Sequence, residues 1–72
     1  MNNNIDNLFS LSGKIVVITG AVGLLGEKHA EAVAAYGGTP VLLDLSQTAV
    51  DLLAEKLNKQ YRVNAVGFSV DI

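Results

Sequence analysis

A continuous β-branched run, Ile15-Val16-Val17-Ile18, passes through Thr19 into three glycines spread over seven residues, Gly20, Gly23 and Gly26. This junction constrains the fold more than any other feature of the chain. An apolar run without polar alternation reads as a strand buried on both faces, which points to a parallel sheet covered by helices. The glycines open a stretch that reads as helix up to Tyr36. Alanines at 30, 32, 34 and 35 favour helix, and Leu25, His29, Ala32, Val33 and Tyr36 share one face, expected to turn inward. Gly37 and Gly38 stop the helix, as a C-cap that needs a left-handed residue would.

Strand and helix then alternate once more. Pro40 stands at the mouth of a second strand, where a missing amide hydrogen does least harm, and Val41, Leu42 and Leu43 carry that strand to Asp44. Ser46 or Thr48 can cap a second helix with an apolar stripe of Val50, Leu53, Ala54 and Leu57, and with Lys56 and Lys59 near its C-terminal end. After Tyr61 a third segment, Arg62 to Val70, places apolar residues at 63, 66, 68 and 70 before Asp71-Ile72.

A β-α-β-α-β order with short connections implies parallel strands joined by right-handed crossovers, with the first strand at one edge and the third at the other. The expected fold class is therefore α/β, a βαβαβ half of a Rossmann-type doubly wound parallel sheet. In the complete fold the first strand is central, so here its free edge is expected to be exposed. An unpaired apolar edge is a hazard that natural chains cover, so more chain or another chain is expected against it. Residues 1–12 read as a loose arm whose Phe9 and Leu11 tuck under the domain edge, and residues 13–72 as a partial dinucleotide-binding domain truncated after the third strand.

Composition removes most other functions. The chain has 72 residues, half of them hydrophobic and 17% charged, which is a globular balance at a size that supports only a limited core. It has no cysteine and one histidine, which excludes disulfides, thiolate sites and imidazole clusters. A net charge of −2, with the basic residues scattered, argues against nucleic acid or an anionic membrane as partner. No apolar stretch approaches the roughly 20 residues of a membrane span, and the asparagine-rich start is unlike a signal peptide, so a cytoplasmic setting is the default.

Between strand and helix the glycines have separate physical roles. Gly20 allows a tight turn, Gly23 lets backbone approach a pyrophosphate, and Gly26 lets the helix pack closely on the strand. Leu24 and Leu25 lie inside this loop. Free amide hydrogens at the helix start, with the positive end of its dipole, would face the phosphates. A P-loop is excluded, because no Lys-Ser or Lys-Thr follows the last glycine. Asp44, 18 residues after Gly26, ends the second strand where a carboxylate can accept from an adenosine ribose, with Leu45 beside it. That carboxylate repels a 2′-phosphate, and no Arg or Lys follows within the next ten residues, so NAD is expected over NADP. A plain glycine-rich turn and a solvated strand-end carboxylate are the structural alternatives.

The stretch Leu11-Ser12-Gly13-Lys14-Ile15-Val16-Val17-Ile18-Thr19-Gly20, followed by Gly23 and Gly26, resembles the N-terminal third of a short-chain dehydrogenase/reductase. The likeness runs through Asp44 to Asp71-Ile72 and covers about residues 9–72. It implies an oxidoreductase that moves hydride between NAD and an alcohol or carbonyl substrate. Gly20, Gly23 and Gly26 would form its pyrophosphate loop, Leu25 the loop's hydrophobic support and Asp44 the ribose contact. Asp71 would accept from the adenine amino group, and the Ile72 backbone would meet the ring. The spacing TGxxGxxG departs from the TGxxxGxG of the family's main branch, with Leu24 where the middle glycine would stand. It is similar to the extended branch of sugar-nucleotide epimerases and dehydratases.

The family's Tyr-x-x-x-Lys pair is absent: Tyr36 is followed four residues on by Pro40, and Tyr61 by Ala65. No catalytic residue is assigned. His29 reads as a packed or partly exposed histidine, Tyr36 and Tyr61 as packing residues at helix ends, and Glu27, Lys28 and Glu31 as a solvated helix face. Besides an oxidoreductase segment, the sequence leaves open a non-catalytic dinucleotide-binding or pairing module, an extended-branch enzyme and an inert fragment.

Overall fold

A computed structural model describes residues 11–71. The elements run β1 (Ile15–Thr19), α1 (Leu24–Ala35), β2 (Thr39–Asp44), α2 (Gln47–Tyr61) and β3 (Val66–Ser69). The three strands form one parallel sheet in the order β1-β2-β3, with Val17 beside Val41 and Leu43 beside Phe68. The expected βαβαβ arrangement is therefore the one observed, and β1 lies at an edge. Pro40 stands one residue inside β2 and is buried. Its missing N–H points toward β3 at a level before β3 begins, since pairing there starts at Val41 and Val66.

Both helices cover the same face of the sheet. Ile18 and Leu42 pack with Ala30 and Ala34 of α1 and with Val50, Leu53, Ala54 and Leu57 of α2 in one cluster. Leu42, Val50 and Leu57 are fully buried, each contributing about 1.5–3 kcal/mol of transfer free energy. The stripe expected on α2 is the stripe that is buried. Ser46 caps this helix: its Oγ accepts from the Ala49 N–H at 3.2 Å. Arg62 ends it at φ 57, donating its N–H to the Asn58 carbonyl.

Two expectations need correction. β1 is not buried on both faces. Val16 and Ile18 face the helices, while Ile15 and Val17 are 71% and 58% exposed. With both crossovers winding the same way, both helices fall on one side and leave the other bare. The inward face of α1 is also not the one expected. Ala30 and Ala34 are buried, whereas Leu25, His29, Ala32 and Tyr36 are exposed and Val33 is partly buried. That apolar stripe overhangs the free edge of β1, where no sheet lies beneath it.

The helix stop at Gly37 holds, at φ +88, with Tyr36 as the cap residue. Leu11 is tied to the body, its N–H donating to the Tyr36 carbonyl at 3.1 Å, while Phe9 lies outside the described residues. Tyr61 packs against the core. No helix among the described residues is long and apolar enough to cross a membrane.

Candidate functional site

The C-terminal ends of the strands bring the glycine loop, Asp44 and Asp71 to one rim of the sheet. Gly20 turns the chain at φ +64, a conformation that side chains disfavour, and its carbonyl accepts from the Gly23 N–H at 3.1 Å. Gly23 is the N-cap of α1, and no side chain caps the helix there. The N–H groups of its first turn are thus left for another acceptor, at the positive end of the dipole. Gly26 packs α1 onto the loop: a Cβ there would run into the Gly20 carbonyl and stand 2.9 Å from the Ala21 Cα. At Gly23 a Cβ would be 3.4 Å from the Gly20 carbonyl oxygen, so that position is open on its outer side.

Asp44 is more than a strand end. Its Oδ2 accepts from the Val22 N–H at 3.1 Å and its Oδ1 from the Leu45 N–H at 2.6 Å. The carboxylate so fixes the height of the glycine loop against β2. A carboxylate offers about four acceptor positions, which leaves room for two further donors such as a ribose diol. The loop is also tied by the Ala21 N–H, which donates to the Leu43 carbonyl at 3.2 Å. Sequence reasoning did not find this clamp. A carboxylate and an amide 22 residues apart carry no local signal.

Leu24 and Leu25 are 76% and 67% exposed. Leu25 therefore does not prop the loop from beneath. The buried residue there is Ala21, in contact distance of Gly26. Leu45 is exposed at the rim, 71% accessible. Asp71 is exposed and follows Val70, whose N–H donates to the Asp44 carbonyl at 2.7 Å, so the two acidic residues share the rim. Ile72 lies outside the described residues.

Glu27 and Glu31 are not a purely solvated face. Both reach Lys56 of α2, each at 3.3 Å, and these two carboxylates hold the lysine above its ordinary value of 10.5. His29 is exposed and lines the groove along β1 with Val16, Val17 and Val33. Two concavities, about 500 Å³ between α2 and β3 and about 460 Å³ along β1, are lined by neither Asp44 nor any of residues 20–26. The rim is the better candidate because free amides, a helix dipole and an aligned carboxylate meet there, and neither concavity has that set. Among the described residues no cluster could hold a metal ion.

No family model matches the chain. It is 34% identical over 70 residues to a sorbose reductase of Candida albicans, across 97% of this chain and 25% of that protein. It is 35% identical over 68 residues to a very-long-chain 3-oxoacyl-CoA reductase of Danio rerio, across 94% of this chain and 21% of that one. The chain thus spans about a quarter or less of the curated relatives it matches. Among solved structures, L-sorbose reductase from Gluconobacter frateurii, complexed with NADPH and L-sorbose, superposes with a TM-score of 0.83 at 29% identity, over 90% of this chain and 24% of that one. A short-chain dehydrogenase from Sphingobium yanoikuyae in complex with NADPH gives 0.77 at 32% identity, over 79% and 22%.

Proposed function

We infer that this chain, which carries the sequence and fold of short-chain dehydrogenases and reductases, holds the adenosine diphosphate half of a nicotinamide dinucleotide. It would do so for an oxidoreductase that moves hydride between that cofactor and an alcohol or carbonyl group. The observation that carries this reading is the meeting, at one rim, of an uncapped helix start and the Asp44 carboxylate, locked together through the Val22 N–H. Amides of the first turn of α1 would bind the pyrophosphate, with Gly20 and Gly23 giving it access and Gly26 setting the helix position. Asp44 would take the ribose hydroxyls, while Leu24, Leu25 and Leu45 border the site as exposed apolar walls. Asp71 and Ile72 would hold the adenine end. The dinucleotide supplies the hydride, and these residues bind and orient it. The unit in question is residues 13–72 behind an arm of residues 1–12, in a cytoplasmic setting.

NAD is preferred in this reading because a 2′-phosphate would meet the Asp44 carboxylate. Residues 45–54 contain no Lys or Arg, and Lys56 is committed to Glu27 and Glu31. NADPH is the second reading, favoured by the two neighbours solved with it. The test is a titration of the chain with NADH and NADPH, followed by fluorescence. Tighter binding of NADH, weakened about tenfold or more by Asp44→Ala, is the expected outcome, since a charge-assisted hydrogen bond contributes about 1.5–3 kcal/mol. Equal affinities that ignore the substitution would remove Asp44 from the site.

A further inference from the structure

The end of β3 is gripped from both sides just before Asp71. On the inner side the Val70 N–H donates to the Asp44 carbonyl at 2.7 Å. Successive residues of a strand turn their N–H and C=O groups to opposite neighbours, so Gly67 and Ser69 face away from β2. Gln47, the first residue of α2, takes up both of these outward positions. Its side chain accepts from the Ser69 N–H at 2.9 Å and donates to the Gly67 carbonyl at 3.0 Å. A third bond orients the amide: Nε2 also donates to the Asp51 Oδ1 at 2.8 Å, one helical turn on. A carboxylate only accepts, so Asp51 holds the nitrogen on the Gly67 side and leaves the oxygen for Ser69.

The start of the strand has its own hold. Asn58 accepts from the Ala65 N–H at 2.6 Å and donates to the Ala65 carbonyl at 3.0 Å, and Ala65 is buried. That contact belongs to the packing of α2. The Gln47 contact lies at an exposed site, where water would serve the same backbone groups, and so adds little to folding. Its consequence is positional. Gln47 stands three residues after Asp44, and Ser69 two residues before Asp71. The Asp44 carboxylate in turn holds the Val22 N–H of the glycine loop at 3.1 Å. Loop, Asp44 and the end of β3 are thus joined by one connected set of bonds, which Gln47 closes on the outer side.

We propose that Gln47 is a positioning residue for the adenine of the dinucleotide. By fixing Ser69 and Gly67 it sets the point from which the exposed Asp71 carboxylate meets the adenine amino group. This rests on the adenine placement proposed above and adds to it a residue that acts through β3. A hydrogen bond to a carboxylate is directional, and a strand end loose on one side would present Asp71 over a range of positions. Removal of Gln47 therefore costs recognition of the amino group and spares the pyrophosphate and ribose contacts, which the glycine loop and Asp44 make.

The test is a fluorescence titration of the full chain with NADH and with reduced nicotinamide hypoxanthine dinucleotide, in which an oxygen replaces the adenine amino group. The quantity read is the ratio of the two dissociation constants. A loss of folded fraction weakens both ligands alike and cancels from that ratio. The unaltered protein is expected to prefer NADH by about tenfold, and Gln47→Ala to bring the preference below about threefold. Should alanine disturb the fold, Gln47→Glu keeps the size, suits a helix start and sets its charge against Asp51, with the same loss expected. Asn58→Ala, the more destabilising change, is expected to keep the preference, because it acts at the other end of β3. Either Gln47 variant retaining a preference that Asp71→Ala abolishes overturns the proposal and leaves the dinucleotide reading standing. An equal loss in Asn58→Ala overturns it as well, since the effect would then belong to β3 as a whole. A protein that binds neither ligand, binds both alike, or keeps its preference in Asp71→Ala overturns it together with the adenine placement.

Discussion

At the scale of single residues, the glycines of the loop separate into those the fold needs and those a ligand needs. Gly26 belongs to the first kind, because the atoms a Cβ would meet are the backbone of Gly20 and Ala21, which cannot swing aside. Gly26→Ala is expected to cost about 1–3 kcal/mol, as overpacking of a close contact does, seen as a lower urea midpoint. Gly23 belongs to the second kind. Its φ of −71° suits any residue, and the nearest atom to an added Cβ is at 3.4 Å. Gly23→Ala is expected to cost about 1 kcal/mol or less, the usual penalty of alanine at an N-cap, while weakening NADH binding more than Gly26→Ala does per unit of stability lost. Equal losses of stability would mean that the loop relaxes around Gly26 and that the close approach of α1 is not required.

At the scale of elements, α2 does more than cover the sheet. Asn58 holds the residue before β3 through both its N–H and C=O, and Ala65 is buried, so the amide pair is shielded from water. Asn58→Ala would leave two backbone groups without partners at a cost of about 1–3 kcal/mol, whereas Gln47→Ala, which frees the exposed Ser69 N–H and Gly67 carbonyl that this side chain bonds at 2.9 and 3.0 Å, is expected to cost less than about 1 kcal/mol. Hydrogen exchange should quicken at Ala65 in the first variant and at Ser69 in the second. Exchange unaltered at both amides would mean that the β3 edge is not held by α2. These clamps were not legible in the sequence, because an amide side chain has no periodicity and its targets lie 7 to 22 residues away. Gly67, whose missing side chain admits Val50 against β3, was missed for the same reason, although a glycine inside a strand pattern is itself a sign of close approach. What was legible rested on repetition and handedness. The stripe on α2 repeats over about two turns, and the strand order follows from the hand of two crossovers. The buried face of α1 was misread because Ala30 and Ala34 give a weak apolar signal beside Leu25, Val33 and Tyr36, whose stripe has no sheet under it here. The glycine spacing and Asp44 were visible as a binding pattern, but the hydrogen bond that joins them was not.

At the scale of the whole molecule, the sheet is a two-layer structure written in a three-layer sequence. Its helix-free face carries Ile15, Val17, Val66 and Phe68, all between 44% and 71% exposed, with Val41 and Leu43 between them in register. The β-branched run of β1 is apolar on both faces because both kinds of position are apolar in the sequence, while only Val16 and Ile18 have helices to pack on. Stability should therefore be one-sided. Leu42→Ala, on the helix face, is expected to cost about 2–5 kcal/mol and to remove the cooperative transition of so small a core. Phe68→Lys, on the bare face, replaces a ring that is 53% exposed and is expected to change stability by less than about 0.5 kcal/mol. It should also lower the binding of an apolar dye such as ANS, because the charge breaks the exposed patch. If Phe68→Lys instead unfolds the chain as Leu42→Ala does, the second face is carrying part of the folding free energy. A covering layer must then already lie on it.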